Sequence, residues 1–337
     1  MSRLSVPLGV PIVRFAHSMA FIKFLGSSGA PHGRYLEANK LPTLCEEPDS
    51  LIPVARMYGF LAIAARREEQ FLGWLVGESF GDKQFSAEMQ QSLAMAPSLF
   101  IALKNLVALG NCETSDIELC LRERERDIIL CMRYKEMRGV PGYGVAQAYQ
   151  LSVFMSIVQM FLGKNWVPEE IGLECQRSRD ELPEKLRAAR FVPQHPFGYF
   201  TVRKSCLPHS QAEGAGGIAA TMPASGLDQL DDLQLLHRLL RAYIPDGYVP
   251  QAFAAELLET SVRSLTRRLS GHGTTYQRLM DSVRFQAAKE HLANRDMRII
   301  DVAHAVGFND QGDFTRLFRR VGGVTPANFR RTVLGAM

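Results

Sequence analysis

Residues 299–320, IIDVAHAVGFNDQGDFTRLFRR, hold two short apolar repeats on either side of a glycine. Both repeats have helical spacing. The first is Ile299, Ala303 and Val306, and the second is Phe314, Leu317, Phe318 and Val321, the last of which directly follows the quoted stretch. Gly307 can adopt the positive φ of a tight helix exit, and Phe308 can plug the corner. Asn309 or Asp310 can cap the second helix through a side-chain oxygen. The stretch therefore predicts a helix-turn-helix.

The second helix of this unit predicts a basic outer face. Arg316 and Arg319 fall opposite the buried Phe314. The neighbouring outward or flanking positions are Gly312, Asp313, Thr315 and Arg320. Guanidinium groups match phosphate oxygens and the O6/N7 edge of guanine, as a recognition helix in a major groove requires. A solvated amphipathic helix without any such role is the alternative that this segment alone leaves open.

A second unit of the same design lies upstream, in PQAFAAELLETSVRSLTRRLSGHGTTYQRL. Its apolar positions are Ala254, Leu257 and Leu258 before the turn and Val262, Leu265 and Leu269 after it, with Thr260 or Ser261 as the cap. Arg263 and Arg267 point away from that apolar stripe. Leu265 and Phe314 are equivalent anchors 49 residues apart, and residues 274–293 predict one long connecting helix. Such a connector can hold two recognition helices in successive major grooves, about 34 Å apart.

Residues 227–331 resemble the DNA-binding domain of the AraC/XylS family of bacterial transcription regulators. The resemblance rests on TSVRSLTRRL, on GTTYQRLMDSVRFQAAKEHL and on IIDVAHAVGFNDQGDFTRLFRRVGGVTPANFR, with GF, FTRLFRR and TPANFR at matching spacing. It implies an all-α domain in which two helix-turn-helix units are joined by a long helix. It also implies double-stranded promoter DNA and RNA polymerase as partners.

The resemblance implies roles for individual side chains. Base contacts fall on Arg263, Thr266, Arg267, Gln311, Gly312, Asp313 and Arg316, and phosphate contacts on Ser261, Arg268, Thr315 and Arg319. Glu259 stands where the family commonly has a turn glycine, so the first turn lacks easy access to positive φ. Gly312 has no side chain with which to read a base. Asp313 is repelled by phosphate, although it can accept a bond from a cytosine amino group. We therefore expect the second unit to read fewer bases than the first.

Residues 1–204 predict an α+β domain with a small, mostly antiparallel sheet. The expected helices are Val10–Leu25, Val54–Arg66, Glu68–Val76, Ser86–Leu109 with a kink or interruption at Pro97, Val145–Leu162 and Leu182–Ala189. The expected strands are Asp116–Arg122, Asp127–Glu136, Glu170–Cys175 and Phe197–Val202. Residues 205–226 are rich in Gly, Ala, Ser and Pro and predict a flexible linker, followed by a C-terminal domain over residues 227–337.

Residues 161–207, beginning FLGKNWVPEEIGLEC, are similar to the N-terminal effector domain of the arabinose-binding-like branch of the same family. This second resemblance extends over residues 20–205. It implies a domain that binds a small organic effector, forms a homodimer, or both, and it does not select arabinose as the ligand. Tyr134 and Trp166 are candidates to line an effector pocket, and the alternative is that both rings simply belong to the core.

Charge is distributed unevenly along the chain. Residues 248–337 hold 13 Lys and Arg against 8 Asp and Glu, whereas residues 1–247 hold 26 against 27. A basic C-terminal region is typical of a nucleic-acid-binding domain. The N-terminus shows no signal sequence, and polar residues interrupt the apolar run Val145–Leu162. We therefore expect a cytoplasmic, nucleoid-associated protein without a membrane span.

Motifs of known enzyme classes are missing from the sequence. It contains no G-x-S-x-G, H-E-x-x-H, Walker or dinucleotide-binding motif, and its six cysteines show no zinc spacing. We expect no catalytic residue, metal or cofactor, and we interpret the cysteines as core thiols, with a redox-sensing cysteine as the alternative. The sequence is also compatible with a ligand-independent regulator whose N-terminal domain only mediates dimerisation, and with an N-terminal enzyme fused to a DNA-binding module.

Overall fold

The computed structural model describes residues 9–69, 71–175, 178–208, 227 and 230–335. These residues divide into two compact units. The N-terminal unit comprises residues 11–40, 54–208 and 227, and the C-terminal unit comprises residues 9–10, 41–53 and 230–335. Most of the expected linker, residues 209–226, lies outside the described residues.

Helices and strands alternate irregularly up to residue 203, and only helices follow within the described residues from 230 onwards. The helices are α1 (Phe15–Ser27), α2 (His32–Ala38), α3 (Val54–Arg67), α4 (Leu72–Phe80), α5 (Ala87–Ala94), α6 (Leu99–Leu109), α7 (Tyr143–Leu162), α8 (Asp232–Tyr243), α9 (Gln251–Leu257), α10 (Val262–Gly271), α11 (Tyr276–Leu292), α12 (Ile299–Ala305), α13 (Gln311–Gly322) and α14 (Pro326–Gly335). The strands are β1 (Ile12–Arg14), β2 (Leu51–Pro53), β3 (Ile117–Glu123), β4 (Asp127–Tyr134), β5 (Glu170–Gly172), β6 (Arg190–Val192) and β7 (Gly198–Arg203). The expected fold class, α+β followed by all-α, is confirmed.

A five-stranded sheet organises the N-terminal unit. Its strand order is β3-β4-β7-β5-β6, and neighbouring strands are antiparallel except for the parallel pair β5 and β6. Among the described strands, β3 is therefore an edge strand that pairs with β4 alone. The central strands β4 and β7 are mostly buried, whereas β3 exposes most of its charged residues.

Two glycines bring α4 and α7 into direct backbone contact. A Cβ at Gly73 would lie 2.3 Å from the carbonyl oxygen of Val145, and one at Gly77 would lie 2.7 Å from that of Tyr149. By length and composition α7 could cross a membrane, but 72% of its most apolar 18-residue window is buried inside the protein. This burial is that of a core helix, in line with the expectation that the helix packs on protein.

Several expected elements differ from those observed. The first helix begins at Phe15 instead of Val10, because residues 12–14 form a strand. The expected interruption of Ser86–Leu109 at Pro97 is found, and it takes the form of two separate helices, with Ser98 as the cap of α6. The predicted helix Leu182–Ala189 is wrong: only single 3-10 turns form there, since Pro183 lacks the N–H that a continuous helix requires. Helix α2 and strand β6 were not anticipated.

A buried ionic network ties the start of the N-terminal unit to the loop before β3. Glu113 accepts a hydrogen bond from the Arg14 guanidinium at 2.8 Å and one from the Ser86 N–H at 2.8 Å, and His17 Nε2 lies 3.1 Å from the same carboxylate. Burial alone would raise the pKa of Glu113. The hydrogen bond and charge of His17, together with Arg14 and Ser86, outweigh burial and lower that pKa to about 2.

Glu113→Gln should lower the free energy of unfolding by about 3 kcal/mol at pH 6, because it removes the negative charge that faces the buried Arg14 guanidinium and His17. The folded-state pKa of Glu113 lies below its ordinary value of 4.5, so its contribution is present above pH 4.5 and is lost as pH falls through about 2. The difference between wild type and variant should shrink over that window in urea titrations. Glu118→Gln, at an exposed pair with Arg133, should cost less than about 1 kcal/mol. Equal costs for both variants would contradict the prediction.

Helix α11 forms the centre of the C-terminal unit. It packs against α8, α12, α13 and α14, and its residues Val283, Ala288 and Leu292 are fully buried. Arg284 on the same helix is buried, with its guanidinium 4.8 Å from the centre of the Phe308 ring. The Phe308 side chain thus packs against α11 at the turn after α12, as the sequence predicts.

A segment from early in the chain, residues 41–53, also belongs to the C-terminal unit, and we call it the strap. Within the strap, Leu51 and Ile52 are fully buried, and β2 packs on α8. The carboxylate of Asp246 accepts hydrogen bonds from the N–H groups of Thr43 and Leu44, each at 2.8 Å, and from the Thr43 hydroxyl at 3.0 Å. The strap is therefore fastened to the corner that follows α8.

Two arginines of α8 hold the rest of the strap. Arg238 donates two hydrogen bonds to the carbonyl oxygen of Asp49, at 2.8 and 3.2 Å. Arg241 lies between Glu47 of the strap, at 3.0 Å, and Glu290 of α11. The strap falls within the region 1–204 that the sequence predicts as one domain, and the division at residue 204 stays a prediction.

Asp246→Ala should release the first turn of the strap, because the carboxylate is the acceptor for both backbone amides there. We expect amide hydrogen exchange at Thr43 and Leu44 to accelerate and the unfolding free energy to fall by about 1 kcal/mol, the value of charge-assisted hydrogen bonds at an exposed site. Asp296→Ala is the matched control, since Asp296 is exposed and lies in the loop between α11 and α12. Unchanged exchange at Thr43 and Leu44 would argue against the fastening.

Candidate nucleic-acid interface

The first helix of each helix-turn-helix unit, α9 or α12, ends in the same way. In the first unit the Thr260 N–H donates to the Ala255 carbonyl at 2.9 Å, and the Glu259 N–H donates to the Glu256 carbonyl at 3.0 Å. In the second unit the Phe308 N–H donates to the Ala303 carbonyl, and the Gly307 N–H donates to the His304 carbonyl, each at 2.9 Å. This pattern is a helix C-terminal cap that requires a left-handed residue directly after the helix. The two units therefore share one turn geometry.

The left-handed position is filled differently in the two units. Gly307 has a φ of 77°, which a glycine adopts without steric strain. Glu259 has φ of 48°, so the first turn takes the positive φ although the sequence gives it no glycine. The capping hydrogen bonds and the packing of α9 against α10 hold Glu259 in a conformation that costs a non-glycine residue roughly 1–2 kcal/mol.

Gly307 also lies against the corner between α8 and α9. A Cβ at Gly307 would lie 2.6 Å from the carbonyl oxygen of Ile244 and 3.0 Å from that of Gly247. Because backbone atoms cannot move aside cheaply, this position is closed to any side chain. The corner that carries Asp246 therefore also supports the turn of the second helix-turn-helix unit.

Gly307→Ala should lower the free energy of unfolding by about 2–4 kcal/mol, because it adds a backbone clash to the strain of a positive φ. Gly323→Ala is the control: its φ is 75°, yet no atom of the described residues lies within 4 Å of the added Cβ. That variant should lose only about 1 kcal/mol. Denaturant titration of both proteins measures the difference, and equal losses would show that the contact with Ile244 contributes nothing.

Helix α10 presents two unpaired cations. Of the two candidate caps, Ser261 caps the helix by accepting the N–H of Ser264 at 3.1 Å. Leu265 and Leu269 are buried, and Arg263 and Arg267 are exposed on the other side. Neither arginine forms a hydrogen bond or ion pair with any described residue.

Other predicted contact residues of α10 already have partners or are partly buried. The Thr266 hydroxyl donates to the carbonyl oxygen of Val262 at 2.8 Å and accepts from Gln251 Nε2 at 2.9 Å. The side chain of Arg268 is half-buried, and within the described part of the chain its Nη1 has no hydrogen-bond partner. Gln251, at the start of α9, could not be identified from the sequence because nothing in the motif pairs it with Thr266.

Helix α13 begins with a compact cap. Asp310, the second of the two candidates, accepts the N–H of Asp313 at 3.0 Å. A Cβ at Gly312 would lie 2.8 Å from Oδ1 of Asp310, so the glycine leaves room for the capping carboxylate. Gln311 and Gly312 are both exposed beside this cap.

The outer face of α13 is basic but partly neutralised. Asp313 and Arg316 form an ion pair on the exposed surface, and Arg320 pairs with Asp281 of α11 at 2.6 Å. The Thr315 hydroxyl donates to the carbonyl oxygen of Gln311 at 2.8 Å. Arg319 is exposed and has no ionic partner among the described residues. The second unit therefore has fewer exposed arginines without an ionic partner than its sequence suggests.

Two expected core positions are wrong. Val262 is 43% exposed and Val321 is 41% exposed. Val262 is the first residue of α10, and side chains at a helix start extend beyond the helix end. The last turn of α13 contacts α11 through Gly322, where a Cβ would lie 2.5 Å from the Phe285 ring, so the preceding Val321 is turned towards solvent.

The structure does not bring the two candidate effector residues together in one described pocket. Tyr134 lines a small buried cavity of the N-terminal unit with His17, Tyr58, Tyr149 and Gln150. Trp166 does not line that cavity and packs edge-to-face on Phe200, with ring centres 5.9 Å apart.

Two helix-turn-helix units with one turn geometry, joined by a single helix and carrying exposed arginines, define a DNA-binding domain. A family model described as a helix-turn-helix domain matches residues 254–332. The C-terminal domain is thus a helix-turn-helix domain of the AraC type.

Relatives share this part of the chain. The ornithine utilization regulator of Pseudomonas aeruginosa is 40% identical over 98 residues, covering 29% of each chain. The transcriptional activator NphR of Rhodococcus is 29% identical over 115 residues, covering 34% of each chain. The chain thus spans about a third of the length of these relatives. The crystal structure of the transcriptional regulator CdpR from Pseudomonas aeruginosa aligns over 89% of this chain and 96% of its own, with 18% identity and a TM-score of 0.42.

Proposed function

We propose that this protein is a sequence-specific DNA-binding transcription regulator in which both helix-turn-helix units contact promoter DNA. The observation that carries the proposal is the set of exposed arginines on α10 and α13 that have no ionic partner among the described residues: Arg263, Arg267 and Arg319. Solvated guanidinium groups on a capped, rigid helix are available to base edges and phosphates without first breaking an ion pair.

In this proposal the first unit supplies most of the base recognition. Arg263 and Arg267 lie one turn apart on α10, with Thr266 beside them, and each arginine can bind the O6/N7 edge of a guanine. In the second unit Gln311 and Arg316 read bases, Gly312 allows close approach, and Asp313 accepts from a cytosine amino group. The ion pair between Asp313 and Arg316 restrains the guanidinium, so recognition there requires both side chains to act together.

Phosphate contacts orient the two recognition helices. We assign these contacts to Ser261 and Arg268 at the first unit and to Thr315 and Arg319 at the second. Helix α11 has 17 residues and is about 25 Å long. In this proposal it holds the two recognition helices in successive major grooves. Arg268 must turn outwards to reach a phosphate, because it is half-buried in the unbound protein.

Arg267→Ala and Arg316→Ala should each weaken specific DNA binding by about 1–3 kcal/mol and relax base preference at one position. Arg319→Ala should weaken binding to all sequences alike and reduce the slope of log affinity against log salt by about 1. Lys164→Ala, an exposed change in the N-terminal unit, is the matched control. Salt titrations with the target site and a scrambled site measure both quantities, and wild-type behaviour of all variants would refute the assignment.

The target site comes from immunoprecipitation of the protein with its DNA in the host, followed by binding of purified protein to the best site. Discrete promoter-proximal sites whose motif covers two adjacent major-groove segments support the proposal. Diffuse enrichment with only nonspecific, salt-sensitive binding contradicts it.

For the N-terminal unit we propose effector binding, homodimerisation, or both, in a cytoplasmic, nucleoid-associated protein that works with RNA polymerase and is not itself an enzyme. The cavity beside Tyr134 is the proposed effector site. Its free space is about that of one or two water molecules, so an organic ligand must displace side chains to enter. A ligand that prefers one conformation raises the melting temperature of the protein, whereas a dimerisation unit without ligand shows no such shift with any metabolite tested.

A further inference from the structure

Cys120 and Cys131 lie directly opposite one another on the antiparallel strands β3 and β4. Residues in register share one face of the sheet, so both thiols point to the same side. On that side Cys131 packs with Ile129 and Tyr199 in a small apolar cluster. The two cysteines are 11 residues apart in sequence, without any spacing that signals a pair.

The flanking hydrogen bonds identify the type of pair. In the same ladder, the Lys135 N–H donates to the Asp116 carbonyl at 2.8 Å, and the Arg124 N–H donates to the Asp127 carbonyl at 2.9 Å. Hydrogen-bonded and non-hydrogen-bonded pairs alternate along an antiparallel ladder. Cys120 and Cys131 lie four positions from the bonded pair Asp116/Lys135 and four from the bonded pair Arg124/Asp127, so they also form a hydrogen-bonded pair. The Cα atoms of Cys120 and Cys131 are therefore about 5.5 Å apart, which lies within the range that a disulfide spans.

The surroundings give the two thiols different accessibility. Cys120 is exposed, whereas Cys131 is buried. Both line a shallow cleft with Arg122, Arg133 and Phe197, and the Arg122 guanidinium lies 4.7 Å from the centre of the Phe197 ring. The pKa of the Cys131 thiol is raised to about 12, mainly by burial and secondly by the nearby Cys120. Cys131 is thus protonated at neutral pH, and Cys120 is the sulfur that a solution oxidant reaches.

We propose that Cys120 and Cys131 form a reversible intramolecular disulfide when the protein meets a hydroperoxide. The Cys120 sulfur attacks the peroxide, the O–O bond breaks, and Cys120 becomes a sulfenic acid while water or an alcohol leaves. The Cys131 sulfur then attacks the sulfenic sulfur, the S–O bond breaks, and the hydroxyl leaves as water with the Cys131 proton. In sum two thiols lose two electrons to one peroxide.

The sheet makes this disulfide easy to reduce. Cβ atoms of a hydrogen-bonded antiparallel pair stand about 5.5 Å apart, whereas a relaxed disulfide needs about 3.8 Å, so closing the bond must draw β3 towards β4. Strained and exposed disulfides have less negative reduction potentials, which is the behaviour of regulatory bonds in a reducing cytoplasm. Among the described strands β3 has one neighbour, so a shift towards β4 breaks no second ladder.

The test uses the full chain, hydrogen peroxide as the probe, alkylation of the remaining thiols and peptide mapping. We expect a Cys120–Cys131 crosslink to appear before any other, to form faster as pH rises because a thiolate is the attacking species in both steps, and to disappear with dithiothreitol. Cys120→Ser changes an exposed position and should abolish the crosslink without unfolding the protein. Cys206→Ser, at a half-exposed cysteine elsewhere, should leave it intact. Sulfinic acid at Cys120 with Cys131 still alkylatable after unfolding, or crosslinks only to other cysteines, would overturn the proposal.

Discussion

The left-handed residue that ends the first helix of each helix-turn-helix unit constrains the whole C-terminal unit. At Gly307 it brings the backbone to within contact of the Ile244 and Gly247 carbonyls, with no room for a side chain. That contact joins the second turn to the corner leading into α9, so the two units are positioned by shared backbone packing as well as by α11. The same conformation at Glu259 shows that tertiary packing can impose the turn on a residue that resists it.

The structure also separates arginines that are used inside the protein from those left for a ligand. Arg284 and Arg320 serve packing or ion pairs around α11, and Arg238 and Arg241 hold the strap. By contrast, Arg263 and Arg267 on α10 and Arg319 on α13 are exposed and have no ionic partner among the described residues. A net positive charge in the C-terminal region is therefore only a coarse sign of nucleic-acid binding, because much of it is neutralised within the fold.

The helices of the C-terminal unit could be predicted because their apolar periodicity, caps and turn residues all agree. The strap could not be predicted, since its contacts lie roughly 190–200 residues away in sequence and depend on single carboxylates and carbonyl groups. Val262 and Val321 show the limit of periodicity. It identifies the apolar face of a helix, but it does not show at which residue that face extends beyond the neighbouring helix and becomes exposed. The opposition of Cys120 and Cys131 depends on strand register, and the alternation of charged residues in β3 does not specify the register uniquely.

The strap means that the part of the protein that carries the helix-turn-helix units is not one continuous stretch of chain. A recombination event that transplants only the region after residue 226 onto another protein leaves behind Leu51 and Ile52, which pack against α8, and the amides that bind Asp246. The recipient then inherits a helix with an uncovered apolar surface. Swapping of such domains during evolution would therefore favour exchanges that carry a compatible early segment, so that residues 41–53 and α8 are expected to change together among descendants of this chain.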